Sequence, residues 1–205
     1  MKNVKFIFDL DGTVTSQETL PLIADHFGVQ EEIAELTKQT IKGNVPFIES
    51  FIKRVHILGK LPVSEINNLL ESVPLYAKVQ EFINMNPDKC VIATGNLSCW
   101  VNKLLRRIYN QASGITFCSQ AEVVNDKVSK LESILKKENV VRRYKGEGCE
   151  VIYIGDGNND LEAMRLSDIS IANGITHDPA NSILGVTDYV IYTEEALCRQ
   201  LNQLL

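Results

Sequence analysis

No block of lysine and arginine interrupts this 205-residue chain, and its formal net charge of −5 argues against a nucleic-acid surface. No apolar run is long enough to span a bilayer, and the N-terminus carries no apolar stretch with a cleavage site, so the expected compartment is the cytoplasm. Five cysteines, Cys90, Cys99, Cys118, Cys149 and Cys198, are odd in number and form no CxxC pair, which disfavours a disulfide framework and a zinc site. Most are flanked by apolar residues and read as buried thiols. Internal repeats and low-complexity segments are also missing. What remains is a globular composition, 44% hydrophobic and 23% charged, in a chain long enough for one domain or a domain with a sizeable insertion.

Against that background one stretch stands out, Phe6-Ile7-Phe8-Asp9-Leu10-Asp11-Gly12-Thr13-Val14-Thr15, where an apolar strand empties into two carboxylates one residue apart. Side chains alternate faces along an extended segment, so Asp9 and Asp11 leave the sheet on the same side, where Gly12 lets the backbone turn. Two carboxylates held so close repel unless a cation or a proton lies between them, and Mg2+ is the simplest remedy. An ordinary Asp-Gly turn would look the same in isolation. The rest of the chain decides between the two readings.

Short β-branched runs end at punctuation at 4–8, 90–93, 151–154 and 169–172, with a weaker one at 189–192. Apolar runs of this length, separated by segments of helical period, predict strands buried on both faces of a parallel sheet. Helices are expected near 101–108, 131–137, 160–166 and 194–204, the second started by a capping box from Ser129 to Glu132. Between Ser16 and Tyr76 no strand-like run occurs, and 3.6-residue spacing recurs in Leu22, Ile23, Phe27 and in Phe47, Ile48, Phe51, Ile52, Val55. Gly28, Gly43-Asn44 and Gly59-Lys60-Leu61-Pro62 break this region into about four helices. Such a block, inserted after the first strand, would sit over the carboxyl ends of the strands as a lid.

Two further strand ends carry chemistry. The 90–93 run leads into Thr94-Gly95-Asn96, a hydroxyl and a glycine turn whose backbone N–H groups could hold phosphate oxygens. The 151–154 run leads into Gly155-Asp156-Gly157-Asn158-Asn159-Asp160, placing Asp156 at the strand tip and Asp160 on the following turn. Two acidic clusters meeting there would make an oxygen-only, magnesium-type site. Admitting a phosphate dianion also needs a fixed positive charge, for which Lys130 is the candidate and Lys127 the competitor.

Together these four pieces resemble the haloacid-dehalogenase superfamily of phosphotransferases, in order and across nearly the whole chain. The resemblance implies an α/β fold, a doubly wound and mainly parallel Rossmann-like sheet formed by residues 1–15 and 77–205, with a small all-helical cap at 16–76. It implies Asp9 as nucleophile, Asp11 as general acid/base, Thr94 and Lys130 as catalytic partners, and Mg2+ held by Asp9, Asp11, Asp156 and Asp160. Gly95, Asn96 and Asn159 would help hold phosphate.

In the lid the sequence looks like phosphoserine phosphatases. Glu18 stands where those enzymes use a glutamate against the substrate ammonium, and Arg54, in Phe47-Ile48-Glu49-Ser50-Phe51-Ile52-Lys53-Arg54-Val55, where they grip its carboxylate. The chain departs from them in having Thr94-Gly95-Asn96 for Ser-Gly-Gly and a shorter 121–129 segment, changes suited to another small phosphomonoester or an acceptor other than water. The expected partner is thus a small phosphorylated metabolite, with neither nucleic acid nor membrane. A receiver-type signalling domain also combines an acidic pocket with Mg2+, Thr and Lys, but has no need of a lid or of a second carboxylate that hydrolyses its own intermediate.

Overall fold

The computed structural model describes residues 3–41 and 45–205. In chain order, β1 (Val4–Phe8) is followed by α1 (Thr19–His26), α2 (Gln30–Ile41), α3 (Phe47–Leu58), α4 (Val63–Glu71) and α5 (Ala77–Met85). Next come β2 (Cys90–Leu97), α6 (Ser98–Ile108), β3 (Ile115–Val124), β4 (Lys127–Ser133), α7 (Lys137–Gly146) and β5 (Glu150–Gly155). The chain closes with α8 (Leu161–Leu166), β6 (Ile169–Asn173), α9 (Asn181–Leu184), β7 (Tyr189–Ile191) and α10 (Glu194–Gln203). The result is a Rossmann-like sheet with a helical insertion after its first strand. Gly43-Asn44, read as a helix break, lies outside the described residues.

One sheet has the order β4-β3-β2-β1-β5-β6-β7, and every neighbouring pair is parallel except β3 with β4. β1 lies between β2 and β5, with Phe8 level with Ile92 on one side and Ile154 on the other. That register brings the residues just beyond these three strands to one edge, at the reversal of strand order where open α/β sheets bind ligands.

Alternation along β1 splits the core. Phe6 and Phe8 face a layer with Phe82 of α5, Trp100 of α6 and Leu197 of α10, whereas Ile7 faces Val140 and Val141 of α7 and Met164 of α8. The Phe82 ring meets Phe6 edge-on at 5.2 Å and Phe8 at 6.4 Å.

The four helices α1 to α4 leave and rejoin the core along two neighbouring stretches of chain. Thr15 pairs with Leu75, Ser16 N donates to Pro74 O, and Tyr76 N donates to Val14 O, so the outgoing and returning chains are laced together. A second attachment is the tip of the β3–β4 hairpin, where Asn125 (φ 50°) and Asp126 (φ 61°) make a two-residue left-handed turn. Asp126 accepts from the Ser64 N–H and hydroxyl and, through its carbonyl, from Val63 N, capping the start of α4, while Val128 N donates to Gly59 O. Of the apolar residues spaced along α3, Phe51 and Val55 are buried, and Ile48 and Ile52 are exposed.

The hairpin overturns one expectation. Residues 131–137 are not a helix: β4 runs to Ser133 and α7 starts only at Lys137. Ser129 caps nothing; its hydroxyl bonds Glu122 across the hairpin. Irregular register between β3 and β4 explains the misreading, because it leaves the inward-leaning Val128 and Leu131 three residues apart, a spacing that imitates a helix. β2 also runs on through Leu97, so Gly95-Asn96 lies within an irregular strand end and not at a helix start.

Phe82→Ala should cost about 3–5 kcal/mol of unfolding free energy by removing the ring that β1 packs against. Urea denaturation followed by circular dichroism, with an unchanged m value, is the measurement; a loss below about 1 kcal/mol would contradict this packing account.

Candidate active site

β1 and β5 place Asp9 and Asp156 side by side, and the turn after β5 returns Asp160 beneath them, so that one carboxylate oxygen from each lies within 4.8 Å of the others. All three are buried. Their partner is Lys137, whose ammonium is 2.6 Å from Asp9 Oδ1 and 2.7 Å from Asp160 Oδ1 and whose side chain is only 2% exposed. Burial works to lower the Lys137 pKa, yet Asp160 and Asp9 hold it above its ordinary value.

Asp160 is saturated by donors. Its Oδ1 also accepts from Tyr153 OH at 2.7 Å, and its Oδ2 accepts from the backbone N–H of Asp156 and Gly157. It therefore locks the turn and the lysine in place. Asp156 is steadied by Thr13, whose hydroxyl donates to Oδ1 at 3.1 Å.

The turn after β1 is built to let these groups approach. Gly12 has φ +71°, and a Cβ there would meet Glu18 Oε1 at 3.0 Å, Asp156 Oδ2 at 3.1 Å and His177 Nε2 at 3.4 Å. Its carbonyl accepts from Asn173 Nδ2 and Thr176 Oγ1. Asp11 lines the same cavity, accepting on Oδ1 from the N–H and hydroxyl of Thr19 at the start of α1 and on Oδ2 from Thr94 Oγ1 at 3.4 Å. Asn96 supports Thr19 through its side-chain amide, and its own N–H is taken up by Thr94 Oγ1.

Above the acidic cluster opens a cavity of about 480 Å³, walled by Glu18, Phe51 and Arg54 from the insertion, Gly95 and Asn96 from β2, and the loop that carries His177. Asn159 lines the same space beside Gly157. Arg54 is lowered in pKa by burial, opposed by the charge of Glu18.

Of the residues singled out in the sequence, the structure brings Asp9, Asp11, Glu18, Arg54, Gly95, Asn96, Asp156 and Asn159 to the cavity wall, with Thr94 and Asp160 buried just behind it. Lys130 is the exception. It sits exposed on β4, paired in register with Glu122, and Lys127 is exposed at the hairpin turn. A strand where a helix was expected carries Lys130 away, and Lys137 supplies the buried positive charge instead. A signal was present: Lys137, Val140, Val141 and Tyr144 share the buried stripe of α7, and a lysine in that register must find an anion. Thr13 and His177 were missed as partners of Asp156, and His177 also as a partner of Glu18; nothing in the local sequence around either residue points to these contacts. Cys99, the thiol nearest these motifs, is pushed up in pKa by burial, which argues against a reactive thiolate.

The donor set suits a hard divalent cation. Three buried carboxylates face one buried ammonium, an excess of negative charge that a divalent cation would offset. Without an ion, burial pushes Asp9 well above the ordinary carboxylate range, against Lys137 and with the help of Asp160 and Asp156, and it pushes Asp156 up to about 6. Among the described residues no helix is long and apolar enough to cross a membrane.

A family model of haloacid dehalogenase-like hydrolases matches residues 6–168. The phosphoserine phosphatase of Methanocaldococcus jannaschii is 25% identical over 183 residues, covering 83% of this chain and 85% of that protein. That of Saccharomyces cerevisiae is 27% identical over 183 residues, and there the chain spans only 58% of the relative's length. Among solved structures, a substrate-bound phosphoserine phosphatase complex superposes with a TM-score of 0.82 at 22% identity, covering 100% of this chain and 99% of that one. A phospho-aspartyl intermediate analogue of phosphoserine phosphatase gives 0.81 at 22% identity, covering 100% of each chain.

Two outcomes follow from the cluster. Lys137→Ala leaves two buried carboxylates without their cation and should cost about 3–5 kcal/mol in metal-free urea denaturation, whereas Lys130→Ala should stay within about 0.5 kcal/mol. Equal effects would remove Lys137 from its assigned role. The second outcome concerns pH. Asp156 is raised from 3.8 to about 6, chiefly by burial, and His177 from 6.5 to about 11, chiefly by its bond to Asp156. A group that holds its proton more tightly when folded adds stability that is complete below its unfolded pKa and fades as pH climbs through the folded one. The two fading windows run from 3.8 to about 6 and from 6.5 to about 11. In chelator, the thermal midpoint should therefore fall between about pH 5 and about pH 8, and Mg2+ should restore more of it at the higher pH, where it no longer competes with a proton. Calorimetry showing a midpoint that rises over that interval would refute the assignment.

Proposed function

The chain belongs to the haloacid dehalogenase-like hydrolases, and from that premise we propose that it is a Mg2+-dependent phosphomonoesterase for small carboxylate-bearing metabolites, with amino-acid phosphates such as phosphoserine as the leading class. One observation carries the reading: Asp9, the residue that ends β1, lies buried beside Lys137 and Asp156 on the floor of a cavity roofed by Glu18 and Arg54. The curated relatives named above and the paired charges of Glu18 and Arg54 support the amino-acid phosphate; residues 16–76 serve as the lid.

Asp9 attacks phosphorus in line with the ester oxygen, so an O–P bond forms to its carboxylate as the bond to the leaving oxygen breaks. Lys137, bonded to Oδ1, fixes the carboxylate and offsets the approach of two anions. Asp11 suits the proton transfer: burial raises its pKa, Thr19 occupies Oδ1, and Oδ2, met only by the longer contact of Thr94 Oγ1 at 3.4 Å, carries the proton. It hands that proton to the departing alkoxide, then takes one from the water that attacks the aspartyl phosphate, which regenerates Asp9 and releases phosphate. Asp9 and Asp156, which line the cavity, would hold Mg2+, with Asp160 behind them taken up by Lys137, Tyr153 and two backbone N–H groups; when bound the ion offsets the charge of the phosphoryl group.

Phosphate release should require Mg2+ and vanish in Asp9→Asn, while Asp11→Asn should accumulate a long-lived phosphoprotein. Arg54→Ala should raise KM for phosphoserine about tenfold or more and KM for p-nitrophenyl phosphate less than about threefold. Retained turnover in Asp9→Asn would end the proposal, and equal KM effects on both esters would end the role of Arg54.

A further inference from the structure

The carboxylate of Glu18 is already engaged from the core side. His177 Nε2 lies 3.2 Å from Glu18 Oε1 and 2.9 Å from Asp156 Oδ2, while Nδ1 is 3.0 Å from Asp178 O. The loop that presents this ring is fastened along its length. Asn173 Nδ2 and Thr176 Oγ1 donate to Gly12 O at 2.9 and 2.7 Å, and Thr176 also meets Tyr76 OH at 2.8 Å, where the insertion rejoins the core. Gly174 N donates to Ile191 O, and Ala180 N to Asp156 O. The ring is thus held at the cavity wall by the same turn that carries Asp11, and Gly12 could not gain a Cβ without crowding Glu18 and His177 together.

We infer that His177 is a specificity-determining residue: it competes with a substrate ammonium for Glu18, so that the enzyme discriminates only weakly between an amino-acid phosphate and the same ester lacking its amino group. The inference rests on the proposed phosphomonoesterase reading and narrows its substrate class. A carboxylate with a donor already seated on one oxygen has part of its charge offset and fewer lone pairs to offer, so the net gain from an incoming amino group shrinks. Arg54 is unaffected, because it answers to the carboxylate that both esters share. Glu18 belongs to the start of the insertion and His177 to the loop after β6, so the contact joins the two parts of the chain that meet at the cavity.

The test is a ratio, kcat/KM for phosphoserine divided by kcat/KM for the phosphate ester of 3-hydroxypropanoate, which is phosphoserine without its amino group. Any disturbance of Asp156 or of the metal affects both esters alike and cancels. In the wild-type protein with saturating Mg2+ the ratio should lie within about threefold of one, and in His177→Ala it should rise about tenfold, the worth of one charge-assisted hydrogen bond. His177→Phe, which keeps the bulk of the ring and can donate nothing, should match alanine and gives a second reading if the cavity collapses around the smaller residue. His177→Gln, whose amide can still reach Glu18, should stay near the wild-type ratio. A ratio unchanged within about twofold in both the alanine and phenylalanine variants overturns the inference while leaving the phosphatase intact. If p-nitrophenyl phosphate is hydrolysed and neither acid is, the carboxylate-bearing substrate class itself is wrong and the inference falls with it.

Discussion

The ammonium of Lys137, wedged between Asp9 and Asp160 with almost no exposure to water, is the contact on which the site depends. Taking three charges out of water is costly, and such a group persists only when the geometry is good and the remaining lone pairs find donors. Asp160 meets both demands, with Tyr153 and two backbone N–H groups completing its shell. The tie runs across three separate parts of the chain, so the end of β1, the start of α7 and the turn after β5 are fixed relative to one another. Everything else at the carboxyl edge is arranged around that knot, and the charge it leaves uncancelled is what invites a divalent ion.

The sheet makes the knot possible. β1 is central, its register with β2 and β5 sets three strand tips level, and the reversal of strand order leaves a crevice above them. Just beyond β1, Asp9 and Asp11, two residues apart, line the same cavity but take different partners, Asp9 the ammonium of Lys137 and Asp11 the N–H and hydroxyl of Thr19 at the start of α1. Two carboxylates of one motif thereby acquire separate environments, a requirement for one to attack and the other to move protons.

Much of this was legible in the sequence, because it is written in local patterns. The apolar runs at 4–8, 151–154 and 169–172 fall in β1, β5 and β6, and the acidic punctuation after them marks the edge where they end. The β3–β4 hairpin was not legible. Its register is irregular and Val123 and Val124 stand exposed beside polar neighbours, so no clean alternation announces it, and its turn, Asn125-Asp126, lacks the glycine that usually flags a left-handed pair. From that single error came the wrong lysine. The contacts of Thr13 and His177 were hidden for another reason: they join residues 143 and 159 positions apart, and only the closed fold reveals them.

The insertion is fastened to the core at the laced neck around Thr15 and Leu75, at the hairpin tip that seats Asp126 at α4, and along α6, where Asn67 of α4 donates to Cys99 O and accepts from Lys103 N. The buried cluster that holds Ile66 and Leu70 of α4 also holds Trp100 and Leu104 of α6. Excising the insertion would therefore lay part of the core's own apolar interior open to water, so the two fold as one unit.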